Sequence, residues 1–244
     1  MKKKLIKSIL VFFLLGIILT GCQENGETPV ENASPESASS DTNSESTEST
    51  NHNHNHSHSL GDEKQKEIYS GIFEDDEIKD RELLDWEGDW QSVYPYLLDG
   101  TLDEVLQKKV ETKKDKTLGE YKEYYKVGYE TDIKRIVIED NTITFYKNGE
   151  RKTGEYKYHG YEILTYESGN RGVRYLFDLV GKVDGVPKYV QFSDHGIYPT
   201  KAEHYHIYFG DDKHDTLLNE LDNWPTYYFS NLSGEEIAEE MNAH

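Results

Sequence analysis

From Thr131 to Phe209 the chain is a succession of short runs of β-branched and aromatic residues, broken at nearly even intervals by turn residues. The breaks are Asp140-Asn141, Asn148-Gly149, His159-Gly160, Ser168-Gly169-Asn170 and Asp184-Gly185. Between them lie segments 133–139, 142–146, 153–158, 161–166, 173–179 and 188–193, and a further segment, 204–209, follows a loop that holds Pro199. Turn residues of this kind join antiparallel strands as hairpins. A parallel sheet needs long crossovers, usually helical, and these intervals have no room for them. The expectation is a mainly β fold, an antiparallel meander closing into a barrel or sandwich.

Helices are expected on either side. One spans 63–70, opened by Asp62 and closed by Gly71. Thr101 with Glu104, and Thr117 with Glu120, have the capping-box spacing in which a hydroxyl and a carboxylate satisfy orphan amides reciprocally. They predict helices running to about 111 and to near Gly128. A short helix is expected over 215–221, an aromatic turn over 223–228, and a last helix capped by Ser233 and Glu236 and ending at His244. The stretch from Asp85 to Pro95 is dense in aromatics, which carry much of a core's apolar area.

The N-terminus is of a different kind. Lys2, Lys3, Lys4 and Lys7 precede an apolar run from Ile9 to Leu19, and Leu19-Thr20-Gly21-Cys22 has the form of a bacterial lipobox. Residues 1–21 are therefore read as a lipoprotein signal peptide and Cys22 as the lipidated residue, placing the chain on the outer face of the membrane, held by acyl chains. Cys22 is the single cysteine, so a metal site here must use His, carboxylate or water. Residues 22–59 are rich in Ser, Thr, Glu, Asn and Pro, too poor in apolar groups to offset ordering entropy, and read as a tether reaching roughly 30–35 Å. Its far end carries His52, His54, His56 and His58 on alternate positions, a compositional signal for metal binding. The remainder, 60–244, suits one domain. With 47 acidic against 27 basic residues, net −20, nucleic acid is excluded as a partner.

The candidate site lies in the last hairpin. In a strand, residues two apart share a face, so His204 and His206 project together while Tyr205 and Glu203 point away. Paired as a long-looped hairpin, the two strands bring His195 across from His204, and three imidazoles converge. Three neutral imidazoles suit zinc, with a fourth position left for water, although copper and nickel accept the same donors. Such a site also occurs in zinc hydratases and hydrolases, but no His-Glu-x-x-His motif is present and alternation turns Asp194 and Glu203 aside. A barrel could also hold a small apolar ligand, with Trp90, Tyr94 and Phe177 either lining a pocket or filling the core.

Longer motifs carry a resemblance. His195 preceded by Phe192-Ser193-Asp194, then His204-x-His206, Asp85-Trp86-x-Gly88-x-Trp90-Gln91-Ser92-Val93-Tyr94-Pro95, Gly172 to Phe177, and Asp222-Asn223-Trp224-Pro225-Thr226-Tyr227-Tyr228 together resemble the ZinT family, also called YodA. The resemblance runs from about Ser59 to His244. It implies a lipocalin-like (calycin) antiparallel barrel with added helices, and a zinc-binding protein, not an enzyme, in which His195, His204 and His206 are the ligands and some members take cadmium. It also implies delivery of zinc to the substrate-binding component of a zinc ABC transporter. Members with a disulfide have cysteines near Gly154 and Leu179, so this chain is expected to hold those strands by packing.

Overall fold

The computed structural model describes residues 60–166 and 169–243; the signal segment, Cys22, the tether, His52, His54, His56, His58 and His244 lie outside the described residues. Eight antiparallel strands close into a barrel in simple chain order: β1 (Gly88–Ser92), β2 (Ile133–Glu139), β3 (Thr142–Lys147), β4 (Glu150–Thr165), β5 (Arg171–Leu179), β6 (Tyr189–Ser193), β7 (His204–Gly210) and β8 (Thr226–Phe229). The lipocalin-like barrel implied by the resemblance is thus the observed fold. β1 pairs with β2 on one side and β8 on the other, so the ring leaves no strand edge open.

Around it lie α1 (Leu60–Tyr69), α2 (Tyr94–Leu98), α3 (Asp103–Lys113), α4 (Leu118–Tyr129), α5 (His214–Leu217) and α6 (Gly234–Ala243). The Thr117–Glu120 capping box forms as expected. So does the one at Ser233 and Glu236, each side chain bonded to the other's amide. The third does not. Asp99 accepts from both the amide and the hydroxyl of Thr101, and α3 starts at Asp103 with Leu102 at its cap. In the aromatic stretch, Pro95 sits in the first turn of α2, where no helix was expected.

Three further expectations are corrected. His159-Gly160 does not end a strand: β4 runs through as one sixteen-residue strand. Tyr158 opposes Phe177 and Gly160 opposes Leu176, which leaves His159 as the extra residue of a β-bulge. A bulge and a turn draw on the same residue types, so local sequence does not separate them. The aromatic turn at 223–228 is in its second half β8, the strand that closes the ring. Four residues are too few to display a period of two. α5 is also shorter than expected, four residues rather than seven.

Alternation divides the wall into two faces. Trp86, Trp90, Tyr175, Phe177, Phe192, Tyr205 and Ile207 are buried in the barrel core. The Trp86 ring stacks on Phe192 at 5.0 Å and Trp90 meets Tyr205 edge-on at 4.8 Å. Trp90 and Phe177 therefore fill the interior, and Tyr94 packs instead at the border of a second cluster. That cluster joins Val93, Leu97, Val105, Leu106, Tyr121 and Ile237 beneath the helices. Gly154 and Leu179 meet as predicted by packing: a Cβ on Gly154 would lie 2.6 Å from Leu179 Cδ1.

The segment entering β8 is fixed to the end of α4. Asn223 Nδ2 donates to the carbonyls of Val127 and Glu130, satisfying groups that a helix C-terminus leaves unpaired. The Trp224 amide donates to Gly128 O at 2.6 Å, and the indole lies flat on Gly128, where a Cβ would come within 2.4 Å of Cζ2 and 2.6 Å of Cε2. A Gly128→Ala change gains roughly 1 kcal/mol of helix propensity. Overpacking against a rigid indole costs about 1–3 kcal/mol, and the expected net effect is destabilising. Urea unfolding checks this: a lower midpoint at unchanged slope is expected, and a midpoint at or above wild type contradicts the contact.

Candidate metal centre

In β7, Tyr205 and Ile207 point into the barrel, so His204 and His206 stand on its outer face. Register then supplies their neighbours. His204 opposes Tyr228 of β8, and the two rings stack at 5.0 Å and 10°. His206 opposes Thr226 on one side and Ser193 on the other. The Thr226 hydroxyl donates its one proton to Trp224 O at 3.0 Å, so it must accept from His206 Nδ1 at 2.8 Å. That fixes the tautomer with Nε2 unprotonated, the form a metal needs. Burial first, then His195, His204 and the Arg174 guanidinium, hold His206 neutral far below the ordinary histidine range.

His195 sits near the start of the connecting loop, where the long-looped hairpin reading puts it. Pairing of β6 with β7 stops at Ser193 opposite His206, and His195 lies beyond it in the loop, in a left-handed conformation at φ 62°. What holds it there is Arg81, a residue with no local signal in the sequence. Its fully buried guanidinium stacks over Trp86 at 4.1 Å. It donates to both carboxylate oxygens of Asp194 at 2.6 and 2.9 Å, to Asp85 at 2.8 Å and to Thr200 O at 2.8 Å. Asp194 Oδ1 also accepts from the Gly196 amide. The residues on either side of His195 are thereby fixed, and a Cβ on Gly196 would press within 2.9 Å of the guanidinium. Asp194 and Arg81 are distant in sequence, and Arg81 lies among Lys79, Asp80 and Glu82, charged residues that read as solvated surface.

The three imidazoles converge. Ring centroids are 5.8 Å (His195–His204), 5.5 Å (His195–His206) and 6.0 Å (His204–His206) apart, and one ligand nitrogen from each lies within 4.8 Å of the others. A tetrahedral zinc with bonds of about 2.0–2.1 Å wants its donors about 3.3–3.4 Å apart, so modest ring rotations close the set. The donors fit a borderline metal without any thiolate.

Tyr69, at the end of α1, lies over His195 with rings stacked at 4.3 Å. Its position depends on Gly71, whose φ of 78° sets the backbone against β5, with a Cβ there only 2.4 Å from Arg171 O. Burial, reinforced by Glu203, pushes the Tyr69 phenol up to about 12. Glu203 is exposed, yet its charge acts on both Tyr69 and Tyr228, so it stands at the rim of the centre although alternation turns it off the face. A cleft of about 360 Å³, walled by Tyr69, Tyr125, Tyr129, Trp224 and Tyr228, opens onto all three histidines.

Known proteins share this arrangement of elements. The sequence model of the ZinT (YodA) periplasmic lipocalin-like zinc-recruitment family matches residues 64–244. The chain belongs to this family. "Probable metal-binding protein YrpE" of Bacillus subtilis is 57% identical to it over 235 residues, 93% of each chain. "Zinc-binding lipoprotein AdcA" of Streptococcus pneumoniae is 54% identical over 182 residues, 75% of this chain and 36% of AdcA, so this ZinT chain spans about a third of that relative's length. The crystal structure of the Zn(II)-bound ZinT-like domain of that AdcA superposes with a TM-score of 0.70 at 54% identity, covering 72% of this chain and 97% of the domain.

The Arg81 clamp is testable. Arg81→Met leaves Asp194, 3% exposed, as a buried uncompensated charge, and the expected loss is about 3–5 kcal/mol of folding free energy. Chemical denaturation at pH 7 measures it, together with metal affinity, which is expected to fall as the His195 loop loosens. An unchanged unfolding midpoint would mean that the ion pair does not organise the loop.

Proposed function

We propose that this chain is an extracytoplasmic zinc-binding lipoprotein that captures Zn²⁺ at His195, His204 and His206 and passes it to the substrate-binding component of a zinc ABC transporter. The observation that carries the proposal is the convergence of three imidazoles on the outer wall of a ZinT barrel, one of them held in the ligating tautomer by Thr226. Solved structures of the AdcA relative, including one at 55% identity and a TM-score of 0.71, are described as Zn(II)-bound, which supports zinc over copper or nickel. The ligand set admits cadmium as a second, softer occupant.

In this reading residues 1–21 direct export, Cys22 carries the lipid, 22–59 are the tether and 60–244 the zinc domain. AdcA, a relative named as a lipoprotein, supports the anchor, and the delivery step follows from the resemblance to the family. His52, His54, His56 and His58 lie just before α1, a ten-residue helix about 15 Å long whose last residue, Tyr69, covers His195. In this reading the tract gathers metal for the triad. Exchange uses the coordination position that three histidines leave open: an incoming donor binds before an old one leaves.

Binding rather than catalysis is the role supported. Asp194 is committed to Arg81 and so is not set as a base on a metal-bound water. The relatives carry names of metal-binding proteins.

Competition for Zn²⁺ with a chelating dye tests the assignment. A variant with His195, His204 and His206 all changed to Ala is expected to lose the tight equivalent, while changing His52, His54, His56 and His58 to Asn leaves it in place. Retention of the tight equivalent in the triple variant would pass the role to the N-terminal tract.

Affinity is also expected to fall between pH 7.5 and 5.5, because imidazole ligates only when neutral and its unperturbed pKa is about 6.5. Burial, with His195, His204 and Arg174, lowers His206 well below the ordinary histidine range, so it is expected to contribute no proton on binding. Calorimetry in buffers of different ionisation enthalpy should therefore count at most about two protons per zinc. Constant affinity across the interval, or three protons released, contradicts this.

A further inference from the structure

We propose that His159, Asp178 and His214 form a second divalent-cation site, of a chemistry suited to zinc, separate from the triad. One candidate ligand atom from each of these residues lies within 4.8 Å of the other two. The Asp178 carboxylate stands between the rings: His159 Nδ1 is 2.9 Å from Oδ2 and His214 Nε2 is 3.2 Å from Oδ1. The rings themselves are 4.9 Å apart and inclined at 53°, converging on one volume without stacking. Two imidazoles and one carboxylate, with water in the fourth position, are a zinc donor set in their own right.

Each ligand is delivered by a distinct feature of the fold. His159 is the extra residue of the bulge in β4, and bulges re-aim side chains. Asp178 sits in β5 opposite Lys157 and Tyr189. His214 is the first residue of α5, and its ring is buried with an edge contact to Tyr189 at 4.9 Å. Behind it, buried Gln191 reaches both His214 Nδ1 and His214 O at 3.2 Å. Such a polar group behind a ligating imidazole sets its orientation. His159 is exposed, so the ion has a way in from solvent.

A metal at this cluster needs one rearrangement of protons. At rest, Gln191 Oε1 faces Arg174 Nη1 at 3.3 Å and its amino group faces His214 Nδ1, which places the His214 proton on Nε2. A metal on Nε2 would require that proton to move to Nδ1, with no net proton released from His214, and the Gln191 amide to turn its oxygen toward Nδ1, giving up its bonds to His214 O and Arg174. Arg174 keeps its shorter bonds to Leu217 O and Glu220 O.

The two centres occupy opposite ends of β6. Tyr189 is opposite Asp178 and Ser193 is opposite His206, four residues or about 13 Å along the strand. No residue is shared, so this proposal stands or falls apart from the triad.

The test is Zn²⁺ titration of the full chain against a chelating dye, with His52, His54, His56 and His58 changed to Asn so that only the barrel is counted. The parent chain is expected to take two equivalents. His159→Ala and Asp178→Asn are each expected to weaken one of them at least about ten-fold and to leave the other unchanged. Because His159 is exposed, its alanine variant should melt like the parent without metal, which keeps the result readable should Asp178→Asn fold poorly. The triple variant of His195, His204 and His206 should lose the other equivalent only. A single equivalent in the parent, or two undiminished equivalents in His159→Ala, overturns the site.

Discussion

Everything in this molecule depends on the closure of an eight-strand antiparallel ring. Closure pairs the last strand with the first, and it gives every wall residue one of two destinations. Inward positions are spent on aromatics and branched aliphatics, packed edge to face around Trp86 and Trp90. Chemistry is thereby pushed outside. His204 and His206 face outward because Tyr205 and Ile207 face inward, and a shift of one residue in β7 would bury both imidazoles in the core and expel two large apolar groups.

The outer face alone would give only two ligands. The third comes from a loop, and loops carry function only when a scaffold positions them. Here the scaffold is a buried arginine. Arg81 reaches from the segment before β1, lies against Trp86 in the core and grips Asp194 with both arms, so the left-handed conformation of His195 is held from beside and beneath. A buried ion pair of this kind is weak support for stability as such, since desolvation offsets most of its attraction. Its value is specificity of placement.

The second cluster obeys the same logic. Asp178 and His159 are outward wall residues, His214 opens the short helix laid across the wall, and Gln191 backs it from β6. Gln191 and His206 are also linked through Arg174, which contacts Gln191 and whose charge helps keep His206 neutral.

Much of this was legible in the residues. Alternation and turn pairs specify strands such as Ile133–Glu139 and the outward pairing of His204 with His206, because both depend on neighbours in sequence. The capping boxes at Thr117 and Ser233 were readable for the same reason. What failed was local ambiguity: His159-Gly160 suits a turn or a bulge, Thr101 can cap a helix or close on Asp99, and β8 is too short to show a period. What fixes the ligands in place was beyond reach in another way. Arg81 meets Asp194, Thr226 sets the His206 tautomer, and His214 joins His159 only once the ring has closed. Sequence by itself determined the sheet, its two faces and the residue types available for metal. Tertiary structure decided which of them meet, because those contacts are set by barrel register and packing rather than by any local preference of the chain.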